Sequence, residues 1–306
     1  MQNKLEASDW DLLLDRIKEG KCTPFLGAGA SAGVLPLGSK IAEEWAEAEG
    51  YPLDNNTDLA SVAQFLAVKY DAIHPKSMLI RRFANVPSPD FSNPYEPHRL
   101  LADLPLPVYI TTNYDDFMIQ ALQRAEYAPG YKKVPTREVC RWNKQIVSRL
   151  KSRPSVFKST RSKISVQTPV VFHLHGHTEF AESMVLTEDD YLDFLINISK
   201  DDYPLPQRIQ EAMAGASLLF LGYRLSDWSF RVLFRSVVGY LERSTTRAHI
   251  SVQLVPLKEN APDERKQKAQ EYLYRYFGDL KIRVYWGPAE EFAKELRDRW
   301  EAYNGK

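Results

Sequence analysis

Hydrophobic positions along the 306-residue chain follow two rhythms. Short, nearly continuous apolar runs bounded by Gly, Pro or polar residues predict buried strands, whereas apolar residues three and four apart predict amphipathic helices. The first helix is read over residues 8–20, with Ser8 or Asp9 as its cap, Trp10, Leu13, Leu14 and Ile17 as one stripe, and Gly20 as its end. Strands are predicted over 22–26, 107–111, 168–174, 217–222, 249–255 and 281–286. Helices are predicted over 39–49, 117–124, 187–198, 206–214, from the turn at Asp227 to about Leu241, over 262–277, and lastly to about Tyr303. Residues 57–84 read as two helical pieces, one presenting Leu59, Val62, Ala63 and Leu66 and the other Met78, Leu79 and Phe83. Pro87, Pro89, Pro94 and Pro97 then mark a loop. Strands alternating with helices indicate an α/β fold: a Rossmann-like, mainly parallel sheet covered by helices on both faces, with a helical insertion over about 50–100. We expect one domain over residues 1–306.

Composition narrows the picture. Lys plus Arg equals Asp plus Glu at 40 each, so net charge argues for neither nucleic acid nor membrane. Cys22 and Cys140 are too few for a disulfide framework or a four-cysteine zinc site. No apolar run is long enough to span a membrane, and the polar N-terminus, with Glu6 and Asp9, does not read as a signal peptide. A soluble, cytoplasmic protein is expected. One segment departs from the average: from Tyr131 to Lys163, eleven basic residues face the single acid Glu138. It reads either as a solvated excursion, over about 131–165, or as a docking surface for nucleic acid or an acidic partner.

In an open parallel sheet, ligands bind beyond the carboxyl ends of the strands. Four predicted strand ends carry unusual residues: Gly27 to Ser31, Thr111 to Asp115, His173 to His177, and Gly222 to Asp227. Strand, Gly-rich turn and helix around Phe25-Leu26-Gly27-Ala28-Gly29-Ala30-Ser31 form a phosphate-binding corner, in which glycines permit close approach and the helix N-terminus offers free N–H groups. The same residues also fit an ordinary strand-to-helix turn. No acidic residue ends a second strand about 20 residues on, since Glu43 to Glu49 reads as helix, which counts against an ordinary dehydrogenase. Asn113 and Asp115 can cap the helix that begins near Asp116. His173, His175 and His177 alternate along a strand, so a three-histidine metal site is conceivable, although Gly176 interrupts the strand and no carboxylate partner is evident.

Taken together, the four stretches resemble the sirtuin superfamily, and more closely its divergent SIR2-like branch found in bacterial antiviral defence. Gly27-Ala28-Gly29-Ala30-Ser31 is similar to the family's NAD loop, Thr111-Thr112-Asn113-Tyr114-Asp115 to its Thr-x-Asn-x-Asp motif, Leu174-His175-Gly176 to the motif of its catalytic histidine, and Gly222-Tyr223-Arg224-Leu225-Ser226-Asp227 to the Gly-Tyr-Ser-x-x-Asp variant, with Arg224 where Ser is common. The four-cysteine zinc ribbon of sirtuin deacylases is missing, because no cysteine lies between His175 and Gly222. The resemblance therefore implies hydrolysis of NAD to nicotinamide and ADP-ribose. It implies Asn113, His175 and Asp115 as catalytic residues, and Gly27, Ala28, Gly29, Ser31, Thr112, Gly222, Tyr223 and Asp227 as the nucleotide-binding set. His175 is expected to act as general base with a pKa near neutrality. No metal is expected, since the nicotinamide leaving group already carries positive charge. The resemblance also implies a homo-oligomer and a HerA-type hexameric ATPase as partner. A NAD or ADP-ribose sensor without turnover, a true deacylase and a nucleic-acid-associated subunit are the competing readings.

Overall fold

The sheet grows outward from a single five-residue strand, Cys22–Leu26, every residue of which is buried. In this computed structural model, residues 5–158, 163–199, 205–223, 249–253, 262–278 and 281–305 are described. The strands in chain order are β1 (Cys22–Leu26), β2 (Val108–Thr111), β3 (Glu126–Ala128), β4 (Tyr131–Lys132), β5 (Thr136–Val139), β6 (Val170–His173), β7 (Ser217–Leu221), β8 (His249–Gln253) and β9 (Ile282–Trp286). Seven of them form one sheet in the order β5-β6-β2-β1-β7-β8-β9, and every pairing in it is parallel. Parallel pairing needs a crossover between successive strands, which is why helices separate them along the chain.

Because side chains alternate across a strand, the sheet divides its apolar residues between two cores. Tyr109, Leu219 and Leu221 face one core with Trp10, Leu13, Leu14 and Ile17 of α1 (Ala7–Lys18) and Phe292 and Leu296 of the last helix, Ala289–Asn304. Phe25, Ile110, Phe172, Leu218 and Phe220 face the other, packed on Phe194 of α8 (Glu188–Ser199) and Ile209 and Met213 of α9 (Gln207–Gly215). A third core holds the insertion together. There Ile41, Trp45 and Ala46 of α2 (Gly38–Glu49) meet Val62, Ala63 and Leu66 of α3 (Leu59–Lys69) and Leu79 of α4 (His74–Phe83), against Met184 and Leu186.

Several expectations need correction. The α1 stripe is as read, but the cap is Glu6, which exchanges bonds with Asp9 in a capping box, and not Ser8 or Asp9 itself. Pro97 does not belong to a loop. It opens α5 (Pro97–Asp103), where its missing N–H costs nothing. The basic run is not a solvated excursion throughout. It contains β5, the parallel edge strand beside β6, and α7 (Lys144–Arg149), with Val139, Cys140, Trp142 and Ile146 buried. Its one acid, Glu138, turns inward and accepts the Val156 N–H at 2.6 Å. Lys133 is buried as well, its Nζ donating to Ala102 O (2.6 Å) and Leu104 O (2.8 Å) at the end of α5. The helix expected up to Leu241 and the strand residues 254–255 lie outside the described residues. Among the described residues, no helix is long and apolar enough to cross a membrane.

Candidate active site

Strands β6, β2, β1 and β7 are successive neighbours in the sheet, so the segments leaving their carboxyl ends meet at one edge. After β6 the chain crosses to the far side of β1 to form β7, which makes the β1/β7 boundary the point where strand order reverses and where α/β sheets hold ligands. At that boundary β1 runs through Gly27 into a 3₁₀ turn, Ala28–Ser31. Gly27 N donates to Leu221 O at 2.8 Å and Gly29 N to Gly222 O at 2.9 Å. Two of the loop N–H groups expected to meet a phosphate are thus engaged by β7. Gly222 has φ +79°, and a Cβ there would lie 2.1 Å from Ala30 N. The two glycine segments are pressed against each other, so the absence of side chains serves chain packing as well as any ligand.

The Thr111-Thr112-Asn113-Tyr114-Asp115 segment leaves β2 beside this turn. Asn113 is anchored at its own N–H by Thr111 Oγ1 (2.9 Å), and its Nδ2 donates to Gly27 O (3.1 Å) and Ser31 Oγ (3.3 Å). Ser31 Oγ in turn donates to Asp115 Oδ2 at 3.4 Å, while Asp115 Oδ1 accepts the N–H of Phe117, the first residue of α6 (Phe117–Arg124). Asp115, one residue before the N-cap Asp116, therefore satisfies the first N–H of that helix and holds Ser31 with its other oxygen. Burial pushes its carboxyl up, against the charge of His98, the Phe117 amide, the charge of His177 and the Ser31 hydroxyl. Ser31 is buried between Asn113 and Asp115, so its hydroxyl is committed to positioning them. A second knot ties the same three strands: Tyr223 donates its OH to Leu26 O (2.8 Å) and lies 2.8 Å from Thr112 Oγ1. Its ring packs edge-on against Phe25. Arg224 and Asp227 lie outside the described residues.

The three histidines do not share a face. The strand ends at His173, and Gly176 (φ +89°) turns the chain where a Cβ would sit 2.2 Å from Ser183 O. His173 and His177 consequently meet ring to ring, 4.9 Å between centroids, while His175 turns away against Tyr191 and Phe194. A carboxylate partner does exist: Asp116, His173 and His177 bring ligand atoms within 4.8 Å of one another. These residues do not fit a metal ion, however. Arg137 Nη1 donates to both Asp116 oxygens at 2.8 Å, and the same guanidinium pairs with Glu179. Glu179 N donates to His177 Nδ1 at 3.0 Å, and Arg137 Nη1 and Asp116 Oδ1 each lie 3.2 Å from His177 Nε2. Both ring nitrogens of His177 and both oxygens of Asp116 are thus already engaged, and the Arg137 guanidinium sits where a cation would have to go. Burial alone would raise Asp116, but His177 and Arg137 together outweigh it and hold the carboxyl well below its ordinary range. The cluster is an ion-pair network that fastens β5 to the loops after β2 and β6. The sequence singled out His173 and His177, but no local signal pointed to their joining Arg137, Asp116 and Glu179.

His173 places Nδ1 3.1 Å from Asn113 O and so supports the segment that carries Asn113. Thr111 and His173 are paired at the ends of their adjacent strands, and Asn113 and His175 each follow two residues later. Among the described residues no hydrogen bond links the His175 ring to the Asn113 network. Burial lowers the pKa of His175 to about 3, and that of His173 likewise, so the expectation of a base titrating near neutrality is corrected: the ring is neutral well into acid. Cys22 and Cys140 are buried thiols pushed up to about 12 and carry no nucleophile. A cavity of about 770 Å³ lies elsewhere, between α5 and the last helix, but its charges, such as Arg297 with Asp103 and Lys132 with Glu126, already pair with each other.

Comparison with known proteins bears on this site. A family model described as SIR2-like domain matches residues 107–277, more than half of the chain. The chain is similar to proteins named NAD(+) hydrolase ThsA. It is 25% identical over 251 residues to that of Bacillus cereus (strain MSX-D12), covering 81% of this chain and 46% of the relative. It is 21% identical over 311 residues to that of Acinetobacter baumannii (strain 532279), covering 96% and 56%. The chain thus spans about half the length of the curated relatives it matches. A solved structure of Sir2Tm bound to a propionylated peptide aligns over 96% of this chain and 98% of its own, at 15% identity and a TM-score of 0.39, too distant to relate residues one to one.

Proposed function

This chain belongs to the SIR2-like domain family, and from that premise we propose that it is a NAD+ glycohydrolase, cleaving NAD to nicotinamide and ADP-ribose. The observation that carries the reading is the single hydrogen-bonded unit Gly27–Ser31–Asn113–Asp115 at the point of strand reversal. The NAD(+) hydrolase relatives support the same reaction.

The chemistry asked of the site is modest. The bond between the ribose C1′ and the nicotinamide nitrogen breaks, its electron pair cancelling the positive charge of the leaving group. The sugar passes through an oxocarbenium-like state. Water then bonds to C1′ and surrenders a proton. Asn113, fixed through its Nδ2 by Gly27 O and Ser31, presents its side-chain oxygen to the ribose or to that water. His175, neutral at physiological pH, takes the proton on a ring nitrogen. Gly27, Ala28 and Gly29 border the pyrophosphate, with Thr112, Gly222 and Tyr223 on the adenosine side. No metal takes part in the proposed reaction. The resemblance of the four motifs to defence NADases supports a role for this activity in bacterial antiviral defence by NAD depletion, and we propose that it acts in the cytoplasm, restrained by homo-oligomerisation or a HerA-type ATPase.

One observation favours a second reading, NAD or ADP-ribose binding without turnover: the His175 ring is enclosed by Tyr191 and Phe194. Product analysis separates the readings. Incubation with NAD is expected to yield equimolar nicotinamide and ADP-ribose, and an acyl-lysine peptide is expected to remain acylated. Bound, intact NAD would favour the sensor, and NAD-dependent loss of the acyl group would favour a deacylase.

A further inference from the structure

We propose that Tyr114 is a positioning residue of this site: its phenol ties the segment that carries Asn113 to the segment that carries His175, and so sets those two residues against each other. The β2–β6 ladder ends where Leu174 N donates to Thr111 O at 2.8 Å. Asn113 and His175 both lie beyond that bond, where side chains must hold the two segments together. Tyr114 is fastened at both ends. Its carbonyl accepts the Thr178 N–H and the Thr178 hydroxyl, each at 3.2 Å. Its own hydroxyl donates to Val185 O at 2.6 Å. Val185 N donates in turn to His175 O at 2.9 Å. A path of bonds thus runs Asn113, Tyr114, Val185, His175, joining the amide proposed to act on the ribose to the proposed base.

Val185 is a telling place to hold. The chain continues from it into α8, with Asp190 Oδ2 accepting the N–H groups of Leu186 and Thr187 at 3.0 Å each. Tyr191 and Phe194 of that helix stand edge-on to the His175 ring, 5.4 and 5.1 Å between centroids. Whatever fixes Val185 therefore fixes the main chain of His175 and leads straight into the wall behind its ring. The Tyr114 ring itself packs against the third core, which contains Met184 and Leu186. A Phe in its place keeps that apolar packing and loses only the donor to Val185 O. Tyr109 supplies a matched comparison. It lies on the same strand-and-loop segment and donates its hydroxyl to a main-chain carbonyl, Leu101 O at 3.0 Å, but in the core beneath α1.

This inference rests on the glycohydrolase reading in its kinetic part, and its structural part is read without any activity. The test compares the full chain as wild type, Tyr114→Phe and Tyr109→Phe. It measures kcat and KM for NAD cleavage, the urea midpoint, and hydrogen exchange of the Val185 amide by NMR. Both variants are expected to lower the urea midpoint, because each strips one carbonyl of its phenol donor. Only Tyr114→Phe is expected to lower kcat, by about tenfold with KM for NAD within about twofold, as misplacement of reacting groups does. Its Val185 amide is expected to exchange about tenfold faster relative to the β1 amides, whereas in Tyr109→Phe it keeps pace with them. A wild-type kcat in Tyr114→Phe, or an equal fall in both variants, would overturn the proposal. So would a lowered kcat with Val185 exchange unmoved, since the phenol would then act by another route. Should Tyr114→Phe fail to fold, Thr178→Val decides alone. It takes one donor from the Tyr114 carbonyl and is expected to lower kcat about threefold at unchanged KM, and an unaltered kcat would overturn the proposal. A wild type that cleaves no NAD would refute the glycohydrolase reading, while Val185 exchange would still decide whether Tyr114 fastens the His175 segment.

Discussion

Burial fixes the protonation of the two histidines around the end of β6. Their pKa values of about 3 in the folded chain lie below the value of about 6.5 for an exposed imidazole. Above pH 6.5 both states bind the same protons, so the two residues leave stability unchanged there. Between pH 6.5 and about 3 the unfolded chain takes up protons that the fold refuses, so stability falls as pH falls. We expect the urea midpoint to decline steadily below pH 6.5, and His175→Gln to flatten that decline; an unaltered slope in the variant would contradict the burial assigned to His175. Gly222 offers a sharper single-residue test. Gly222→Ala requires a Cβ at φ +79° and 2.1 Å from Ala30 N. Left-handed strain and overpacking together are expected to cost about 2–4 kcal/mol, read as a fall in the denaturation midpoint. Gly27 to Gly29 was legible as a special turn, but its partner across the strand boundary was not, because a two-glycine close approach joins residues nearly 200 positions apart.

At the scale of elements, strands and helices with strong periodicity were legible to within a residue or two: β1 and α6 have the bounds expected of them. What escaped was whatever depends on partners. β5 is four residues long and only half-buried at its start, so Thr136–Val139 carries no apolar signal, and its place beside β6 comes from ladder pairing and the Arg137–Asp116 and Arg137–Glu179 ion pairs. A charge run hides the same way. Lys133 looks like its basic neighbours, yet it caps the carbonyls that end α5, and burial lowers its pKa to about 8. Lys133→Ala is expected to cost about 2–3 kcal/mol in equilibrium unfolding, because two buried carbonyls lose charged donors. Lys144→Ala and Lys151→Ala, both exposed, are expected to change stability by less than about 0.5 kcal/mol. Equal effects at all three positions would return the segment to a uniformly solvated loop.

For the molecule as a whole, the sheet order brings the segments that leave β1, β2 and β7 together. The alternation of strands and helices indicated a parallel sheet, but strand order cannot be read from alternation, and it is the order β6-β2-β1-β7 that puts Asn113 against Gly27 and Tyr223 against Leu26. The insertion of α3 and α4 buries its own core and leads into the α5 N-terminus, where Glu96 accepts the His98 Nδ1–H. The chemistry proposed for this edge of the sheet rests on Asn113 and His175. The measurement that tests this most directly is nicotinamide release from NAD by the full chain beside Asn113→Ala and His175→Ala, with NAD binding measured on all three. Release by the wild type, falling at least about 100-fold in each variant while the fold persists, is the expected result for loss of an oriented polar group and of a general base. Undiminished release in both variants would contradict it.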